Sequence, residues 1–254
     1  MNSSIDTSAL VVGIIGGTGR QGRGLAHRLA RAGQCVIVGS RDARCAAVAV
    51  AELQALPGVG PGTLAAGTNA AAAGADIVIV ALPYTAQRPD VLTDLRTRLT
   101  GRIVIDCANP IAFGPEGATL LPVPAGSAVA ETAFLLPGSH VAAAFQHVPA
   151  SLLMEPTHHL GTDTLIVADD PTVATTVRAL AHRAGLRGIV AGTLRDAAGV
   201  EELAAHLITL DGTFRRYGHH ESAVGDGDHV VSSIASAARH AYACCHPLDP
   251  SRFE

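Results

Sequence analysis

The chain has 254 residues, of which 48% are hydrophobic and only 3% aromatic, so it can bury a core in one large domain or two modest ones. Its formal net charge of −4 gives no electrostatic attraction to nucleic acid or to an anionic membrane, and we expect neither as a partner. The sequence contains no lysine, which excludes mechanisms that need a lysine base or a Schiff-base amine.

The N-terminal residues and the cysteines bear on the cellular compartment. Residues 1–9 are mostly polar, and the apolar run at 10–15 is too short for a signal peptide or a membrane span. The cysteines lack the spacing of a disulfide framework, and the first three fall in or beside predicted strands and helices, where buried reduced thiols are common. They are Cys35, Cys45, Cys107, Cys244 and Cys245. We therefore expect a reducing, cytoplasmic location.

Apolar runs rich in β-branched residues alternate with segments of helical periodicity over the first 145 residues. Strands are predicted at 10–15, 35–38, 76–82, 102–107 and 140–145, and helices at 20–32, 42–56, 89–99 and 128–136. The Pro- and Gly-rich residues 57–62 and the segment 109–126 are expected to be loops. This alternation predicts an α/β fold with a doubly wound parallel sheet and right-handed crossovers.

The remaining residues predict a smaller, mainly helical C-terminal part. A strand is expected at 163–168 and a helix at 171–184. A further helix follows Thr193, and its narrow apolar seam belongs either to the core or to a dimer contact. The seam contains Val200, Leu203, Leu207, Leu210 and Phe214. Residues 217–254 are polar and His-rich, with one helix expected near 230–245. We therefore predict a dinucleotide-binding domain at 1–150 and a smaller domain at 151–254 that contributes second-substrate and homodimer contacts.

A glycine-rich segment connects the first predicted strand to the first predicted helix and fits the pattern G-x-G-x-x-G. Its residues are Gly17, Thr18, Gly19, Arg20, Gln21 and Gly22. In this pattern Gly17 permits a tight turn, Gly19 a close approach to a pyrophosphate and Gly22 close helix–strand packing. Backbone amides at the helix start would bind the phosphates, aided by the helix dipole. The strand–loop–helix context therefore predicts dinucleotide binding rather than a simple glycine turn.

The end of the second predicted strand favours NADP over NAD. NAD enzymes usually carry an acidic residue there, which accepts from the ribose 2′-hydroxyl and would repel a 2′-phosphate. This chain has Ser40 and Arg41 instead, and a hydroxyl and a guanidinium both bind phosphate well. Arg44, one helical turn further, would add a second positive charge. The alternative is that Arg41 is an ordinary solvated side chain.

Two other predicted strand ends carry candidate site residues, whereas the histidines do not. Pro83 and Tyr84 follow one predicted strand and Asn109 follows another, at the edge where ligands bind in open α/β sheets. The prolines there would otherwise only end the strands. The histidines and late cysteines are adjacent in sequence rather than at metal-ligand spacing, so we expect no metal site. These clusters are His158-His159, His219-His220-Glu221 and Cys244-Cys245-His246.

Over residues 11–210 the chain resembles the NADP-dependent oxidoreductases of the deazaflavin coenzyme F420. The resemblance rests on GIIGGTGRQGRGLAHRLARAGQCVIVGSR at 13–41, DCANP at 106–110, AAFQHVPA at 143–150, GTDTLIVADD at 161–170 and RDAAGVEELAAHLITL at 195–210. It implies NADP as cofactor and F420 as second substrate. By resemblance, Thr18, Gly19, Arg20 and Gln21 line the pyrophosphate, Ser40 and Arg41 the 2′-phosphate, and Pro83, Tyr84, Asn109 and Ala150 the nicotinamide. Residues 146–149 would meet the deazaflavin ring.

Three positions depart from the family pattern. A lysine found in some members after the Ser-Arg pair is Cys45 here, which leaves Arg44 as the nearest substitute. A common histidine is Gln146, although His147 follows directly, and a frequent tryptophan is Tyr84. The last two departures affect the expected contacts with the second substrate, so the alternative is a relative adapted to another hydride acceptor.

The resemblance implies direct hydride transfer between the nicotinamide C4 and the deazaflavin C5, without a protein nucleophile. Gln146 and His147 would stabilise charge on the accepting ring. One alternative is an NADPH-dependent reductase of a small imine or carbonyl compound, with His147 or Tyr84 as proton donor. Another is an NADP(H) sensor without turnover. The absence of lysine argues against the β-hydroxyacid dehydrogenase mechanism and the Tyr–Lys pair of short-chain dehydrogenases.

Overall fold

The strands and helices follow the predicted alternation closely in the first half of the chain. The computed structural model describes residues 6–85, 87–114, 117–156 and 159–216, with side chains described up to residue 210. The strands are β1 Val12–Ile15, β2 Val36–Ser40, β3 Leu64–Thr68, β4 Ile77–Val80, β5 Ile103–Asp106, β6 Ile111–Gly114, β7 Gly117–Leu120, β8 His140–Ala143, β9 Asp163–Ala168 and β10 Arg187–Gly192. The helices are α1 Arg20–Arg31, α2 Ala43–Gln54, α3 Asn69–Ala72, α4 Arg88–Leu99, α5 Ala128–Leu135, α6 Pro171–Arg183 and α7 Ala197–Arg216.

Eight of these strands form one sheet in the order β10-β9-β8-β5-β4-β1-β2-β3, and β6 and β7 form a separate antiparallel pair. In the centre of the large sheet, Val12 of β1 lies between Val36 of β2 and Ile77 of β4, and both pairings are parallel. The order reverses beside β1, so the carboxyl ends of β1 and β4 flank the crevice where ligands bind in such sheets. The predicted α/β class and doubly wound sheet are confirmed.

One pairing corrects the expectation of a wholly parallel sheet, because β8 and β9 are antiparallel. The chain between them contains only a short 3-10 turn at Leu152–Met154, and an antiparallel neighbour needs no crossover helix. α6 then leads from β9 to β10, which are parallel. The large sheet therefore continues past residue 150, and the division of the chain at that residue stays a prediction.

Both faces of the central strands are buried, which explains their uninterrupted apolar sequences. Ile14 of β1 belongs to one apolar cluster with Leu25 and Leu29 of α1. Its neighbour Ile15 points to the opposite face and belongs to a second cluster with Leu92 and Leu99 of α4. Two apolar layers, one on each face, thus hold the carboxyl ends of the strands in fixed positions.

Five regular elements were not predicted from the sequence. β3 consists largely of small residues that are partly exposed at the sheet edge, so it lacks the usual β-branched run. It is followed by the single-turn helix α3. The strands β6 and β7 replace part of the loop expected at 109–126, and β10 is a largely exposed edge strand with glycine near each end. Among the cysteines, Cys107 is buried as expected, but Cys35 and Cys45 are exposed.

The helix α7 only partly confirms the expected apolar seam. Val200 and Leu207 are buried, whereas Leu210 is 50% exposed. The side chain of Phe214, residues 217–254 and the helix expected at 230–245 lie outside the described residues. Within the described part of the chain, no helix combines the length and apolarity needed to cross a membrane.

Candidate cofactor and substrate site

The glycine-rich segment forms a tight turn between β1 and α1. The left-handed conformation is taken by Gly16, with φ of 75°, and not by Gly17, to which the sequence analysis assigned the turn. Gly17 instead donates its N–H to the carbonyl of Gly39 at 2.8 Å. Gly19 caps α1 without a side-chain hydrogen bond, and no acidic residue lies in the first turn. The helix start is therefore open to an anionic ligand.

Glycine at position 22 is required by close packing, as predicted. A Cβ atom on Gly22 would lie 2.7 Å from the carbonyl oxygen of Gly16 and from the Cα of Gly17. A side chain on Gly39 would similarly come within 2.8 Å of the carbonyl oxygen of Ile14. The backbones of α1, β1 and β2 thus approach each other more closely than residues with a Cβ permit.

Asn69 is a site residue that the sequence analysis missed. Its Oδ1 accepts the N–H of Gly16 at 3.1 Å, and the side chain is buried. Because Asn69 begins α3 directly after β3, it joins the end of β3 to the glycine turn. Because β3 was not predicted, no strand end marked Asn69 as a candidate residue.

The end of β2 places Ser40 and Arg41 where a 2′-phosphate site was expected. Ser40 is the last residue of the strand and is buried, whereas Arg41 is exposed and has no salt bridge within the described part of the chain. Arg44 is already paired with Asp42, with 2.9 Å between Nη2 and Oδ2. Hydrogen bonds from Arg44 lower the pKa of Asp42, and that carboxylate also caps α2. Arg41 is therefore the guanidinium that is available to a phosphate.

The segments after β5 and β8 are joined at the carboxyl edge of the sheet. Asn109 donates from Nδ2 to the carbonyl of Gln146 at 2.7 Å. Gln21, in the first turn of α1, donates from Nε2 to the carbonyl of Phe145 at 3.0 Å. The side chain of Gln21 thus connects the glycine turn to the end of β8. The resemblance implies that Gln21 lines the pyrophosphate, whereas its side chain in the structure is bonded to the end of β8.

Phe145 is the only non-glycine residue with positive φ among the described residues, at 69°. Such a conformation costs of the order of 1–3 kcal/mol and is concentrated at functional sites. Its N–H donates to the Oγ1 of Thr164 at 2.9 Å, and its side chain is almost fully buried, so the turn is held from both sides. Gln146 and His147 follow this turn and are both buried.

Four buried polar atoms near this turn have no hydrogen-bond partner within the described part of the chain. They are Asn109 Oδ1, Gln146 Oε1 and Nε2, and His147 Nδ1. Buried polar groups are rarely left unpaired, because desolvation without a compensating hydrogen bond is costly. The set includes both donors and acceptors, so it fits a ligand whose edge carries both hydrogen-bond donors and acceptors. Nicotinamide, through its carboxamide, and a deazaflavin ring both meet this requirement.

His147 is neutral at neutral pH. Burial lowers the pKa of its imidazole, and a hydrogen bond with the backbone of Asp163 opposes this only in part. A neutral ring that is already bonded on one side offers an unpaired nitrogen, Nδ1, to a ligand. The charge state of His147 favours hydrogen bonding over proton donation.

Tyr84 lies after β4, as expected, and its hydroxyl faces a carboxylate. Its Oη donates to Oε1 of Glu131 at 3.3 Å, and the guanidinium of Arg88 lies 5.8 Å from the ring centre. Burial and the negative charge of Glu131 both raise the pKa of Tyr84, so the phenol keeps its proton. Pro83 beside it is exposed, and Ala150 is half-buried after the β8 turn.

No group of three His, Cys, Asp or Glu side chains with the geometry of a metal site occurs within residues 6–210 as described. Of the clusters set aside in the sequence analysis, His158, the residues at 219–221 and those at 244–246 lie outside the described residues.

Comparisons with known proteins agree with this architecture. A family model described as NADP oxidoreductase, coenzyme F420-dependent, matches residues 11–110. The F420-dependent NADP reductase of Methanothermobacter thermautotrophicus is 34% identical over 213 residues, which cover 82% of this chain and 91% of that protein. The protein of the same name from Methanocaldococcus jannaschii is 32% identical, covering 82% of this chain and 95% of that protein.

Solved structures share the fold of this chain. A candidate F420-dependent NADP reductase from Arthrobacter sp. FB24 superposes with a TM-score of 0.67 at 26% identity, covering 81% of this chain and 94% of that chain. An imine reductase from Bacillus cereus has a TM-score of 0.56 at 18% identity, covering 82% of this chain and 63% of that chain, and shares the fold alone. The extended identity to the two archaeal reductases shows that the chain belongs to the family of coenzyme F420-dependent NADP oxidoreductases.

Proposed function

We propose that this chain transfers a hydride between NADP(H) and coenzyme F420. The observation that carries the proposal is the group of buried, unpaired polar atoms on Asn109, Gln146 and His147, which lies across the carboxyl edge from the glycine turn. A dinucleotide bound at the start of α1 and extended along this edge would bring its nicotinamide to that group. Family membership supplies the chemical identity of the second ring.

The glycine turn and the end of β2 would hold the adenosine half of NADP. Thr18 and Arg20 offer backbone amides to the pyrophosphate at the open start of α1. Gly17 and Gly19, whose own N–H groups donate to the carbonyls of Gly39 and Gly16, allow its close approach. Ser40 and Arg41 would bind the 2′-phosphate through a hydroxyl and a guanidinium. Arg44 contributes less to this site than the sequence suggested, since its guanidinium is neutralised by Asp42.

The ends of β4, β5 and β8 would hold the two reacting rings. When bound, NADP(H) and F420 supply the hydride donor and the acceptor, and they need no protein nucleophile. Pro83, Tyr84, Asn109 and Ala150 would flank the nicotinamide. The contribution of these residues is to orient the rings and to exclude water, which is the main source of catalysis in a direct transfer.

Gln146 and His147 would bind the second ring. The Gln146 carboxamide presents one donor and one acceptor, a pattern complementary to an amide-like ring edge. His147, being neutral, would act as a hydrogen-bonding group. Both side chains would thereby stabilise the charge that develops on the accepting ring.

The alternative reaction, reduction of a small imine or carbonyl compound, requires a proton donor near the substrate. The neutral state of His147 makes it a poor donor, so Tyr84 is the candidate that remains. Its raised pKa keeps the phenol protonated, but the Glu131 carboxylate already accepts that proton in a hydrogen bond. This alternative is accordingly less well supported than F420 reduction.

We also propose that the chain forms a homodimer. Exposed apolar side chains lie on β6, β7 and the adjoining α7, where the hydroxyl of Thr209 joins α7 to the N–H of Ala118. They are Phe113, Leu120, Leu121 and Leu210, with 37–50% exposure. Exposed apolar side chains on adjoining elements suit a contact with a second copy of the chain. A cytoplasmic location and the absence of a nucleic-acid partner remain predictions from the composition.

The proposed reaction is tested by mixing the purified chain with NADPH and oxidised F420 and following the loss of the deazaflavin absorbance. We expect steady turnover with NADPH and much slower turnover with NADH. NADPH oxidation by a cyclic imine or a ketone, without F420 reduction, would support the alternative reaction. NADPH binding without oxidation by any acceptor would indicate a sensor.

A further inference from the structure

A buried cluster lies directly behind the proposed nicotinamide side. Arg88, the first residue of α4, is fully buried, and its Nη2 forms an ion pair with Oδ2 of Asp106, at the end of β5. The same Nη2 donates to Oγ1 of Thr132 at 2.8 Å, and Thr132 donates to Asp106 at 2.6 Å. The three side chains therefore form a closed triangle that joins α4, β5 and α5.

This triangle reaches both segments that carry the proposed nicotinamide contacts. Oδ1 of Asp106 accepts the N–H of Ala108 at 2.9 Å, which sets the turn immediately before Asn109. On the other side the Arg88 guanidinium lies 5.8 Å from the centre of the Tyr84 ring. Arg88 Nη1 also reaches the Glu131 carboxylate that holds the Tyr84 hydroxyl, at 3.4 Å.

Stability alone does not account for such a cluster. A buried ion pair pays a large desolvation cost, and apolar residues of similar volume usually stabilise a core as well or better. An arginine in the first turn of a helix is also unfavourable for the helix dipole. A cluster with these costs at the carboxyl edge is consistent with a role in holding the site.

We propose that Arg88, Asp106 and Thr132 form a positioning group that fixes Tyr84 and Asn109 against the nicotinamide. The inference rests on the proposed function for the location of that ring. The group does not touch the reacting atoms. It acts through the turn at 106–108 and through the ring of Tyr84, and its loss would displace the nicotinamide relative to the hydride acceptor.

The test replaces Thr132, because its hydroxyl can be removed without leaving a buried charge alone. Thr132→Val removes the hydroxyl at nearly constant volume, and Thr132→Ser keeps it. The matched control is Thr176→Val in α6, since Thr176 is also buried and its hydroxyl bonds to the backbone of Thr172 at 2.9 Å, away from the site. If Thr132→Val does not fold, Thr132→Ala removes the same hydroxyl.

For the hydroxyl-free variant we expect kcat for F420 reduction to fall roughly tenfold or more, because small misplacements of reacting groups have effects of that order. KM for NADPH should change less than kcat, and the kinetic isotope effect with NADPH deuterated at C4 should rise. Thr132→Ser should restore most of kcat, and Thr176→Val should leave it unchanged. Equal kcat values for Thr132→Val and Thr176→Val would overturn the inference.

The proposed function and this inference fail in different ways. A wild-type chain that binds NADPH but does not reduce F420 would refute the function. In that case the positioning role is tested by the nicotinamide fluorescence of bound NADPH. Thr132→Val should shift this emission relative to the wild type, and Thr132→Ser should not. Identical emission from all three chains would overturn the positioning role independently of turnover.

Discussion

Asn109 donates a hydrogen bond to the backbone carbonyl of Gln146 at 2.7 Å, while Oδ1 of Asn109 and both polar atoms of the Gln146 side chain have no described protein partner. One contact thus fixes the two segments after β5 and β8, and leaves their remaining polar groups available to a ligand.

Replacing Asn109 tests whether its contact with Gln146 serves the site. Asn109→Ala should lower kcat for F420 reduction by about tenfold and the free energy of unfolding by only about 1 kcal/mol, the usual net value of one hydrogen bond. Gln54→Ala is the control, because Gln54 also donates from its side chain to a backbone carbonyl, that of Leu64, at 3.4 Å. Steady-state kinetics and urea denaturation measure both effects. Equal losses of kcat in the two variants would contradict a site role for Asn109.

The two arginines after β2 should differ in their effect on cofactor choice. Arg41→Gln should weaken the binding of NADPH relative to that of NADH by about ten- to a hundredfold, since charge-assisted hydrogen bonds contribute roughly 1.5–3 kcal/mol. Arg44→Gln should change this ratio less, because Arg44 is already paired with Asp42. The ratio of kcat/KM for the two cofactors is the measurement. If both substitutions change it equally, Arg41 does not bind the 2′-phosphate.

A methyl group added at each of two glycines should change the stability of the chain in opposite directions. Gly22→Ala places a Cβ atom 2.7 Å from the backbone of Gly16 and Gly17, so we expect lower thermal stability and weaker NADPH binding. Gly199→Ala in α7 meets no atom within 4 Å and should stabilise the helix by up to about 1 kcal/mol. Thermal denaturation with and without NADPH distinguishes the two. An unaffected Gly22→Ala variant would show that α1 and the turn are less closely packed than described.

Glu201 should make the stability of the chain depend on pH. Burial raises the pKa of this carboxyl to about 7, although N–H groups of α5 oppose the shift. The folded state then binds a proton that the unfolded state has released, so between about pH 5 and pH 7 the stability falls as pH rises. Glu201→Gln should remove this dependence and be more stable than the wild type at pH 8 but not at pH 5.

Urea denaturation at several pH values measures this effect, and Glu202→Gln is the control because Glu202 is exposed. A wild-type chain that gains stability between pH 5 and pH 8 relative to Glu201→Gln would contradict the raised pKa.

His27 makes stability depend on pH in the opposite direction. Burial lowers its pKa, so its contribution to stability is lost as pH falls below the ordinary range of histidine.

The central sheet was predictable because its strands are buried on both faces. β1, β4 and β5 consist almost entirely of apolar residues, and these apolar runs identify them as buried strands. The strand β9 was predicted with the bounds that it has in the structure, Asp163–Ala168. In contrast, β3 and β10 lie at the two edges and expose most of their residues, so they lack the hydrophobic pattern on which such predictions rest.

The site was predictable where its chemistry is local in sequence. The glycine turn and the Ser40-Arg41 pair are contiguous motifs, and they lie between β1 and α1 and at the end of β2, as the sequence predicts. Their role in binding NADP stays a prediction. The bonds of Asn69 to Gly16 and of Arg88 to Asp106 join residues 53 and 18 positions apart, and only the tertiary structure reveals them. The left-handed conformation of Phe145 was also unforeseeable, because an aromatic residue normally avoids it.

The central claim is that hydride passes directly between the two bound rings. It is tested most directly with NADPH that carries deuterium stereospecifically at C4, by mass spectrometry of the reduced F420. We predict that one of the two C4 diastereomers delivers one deuterium atom to F420 and that the other delivers none. Reduced F420 that contains only solvent-derived hydrogen, or no reduction at all, would contradict the account.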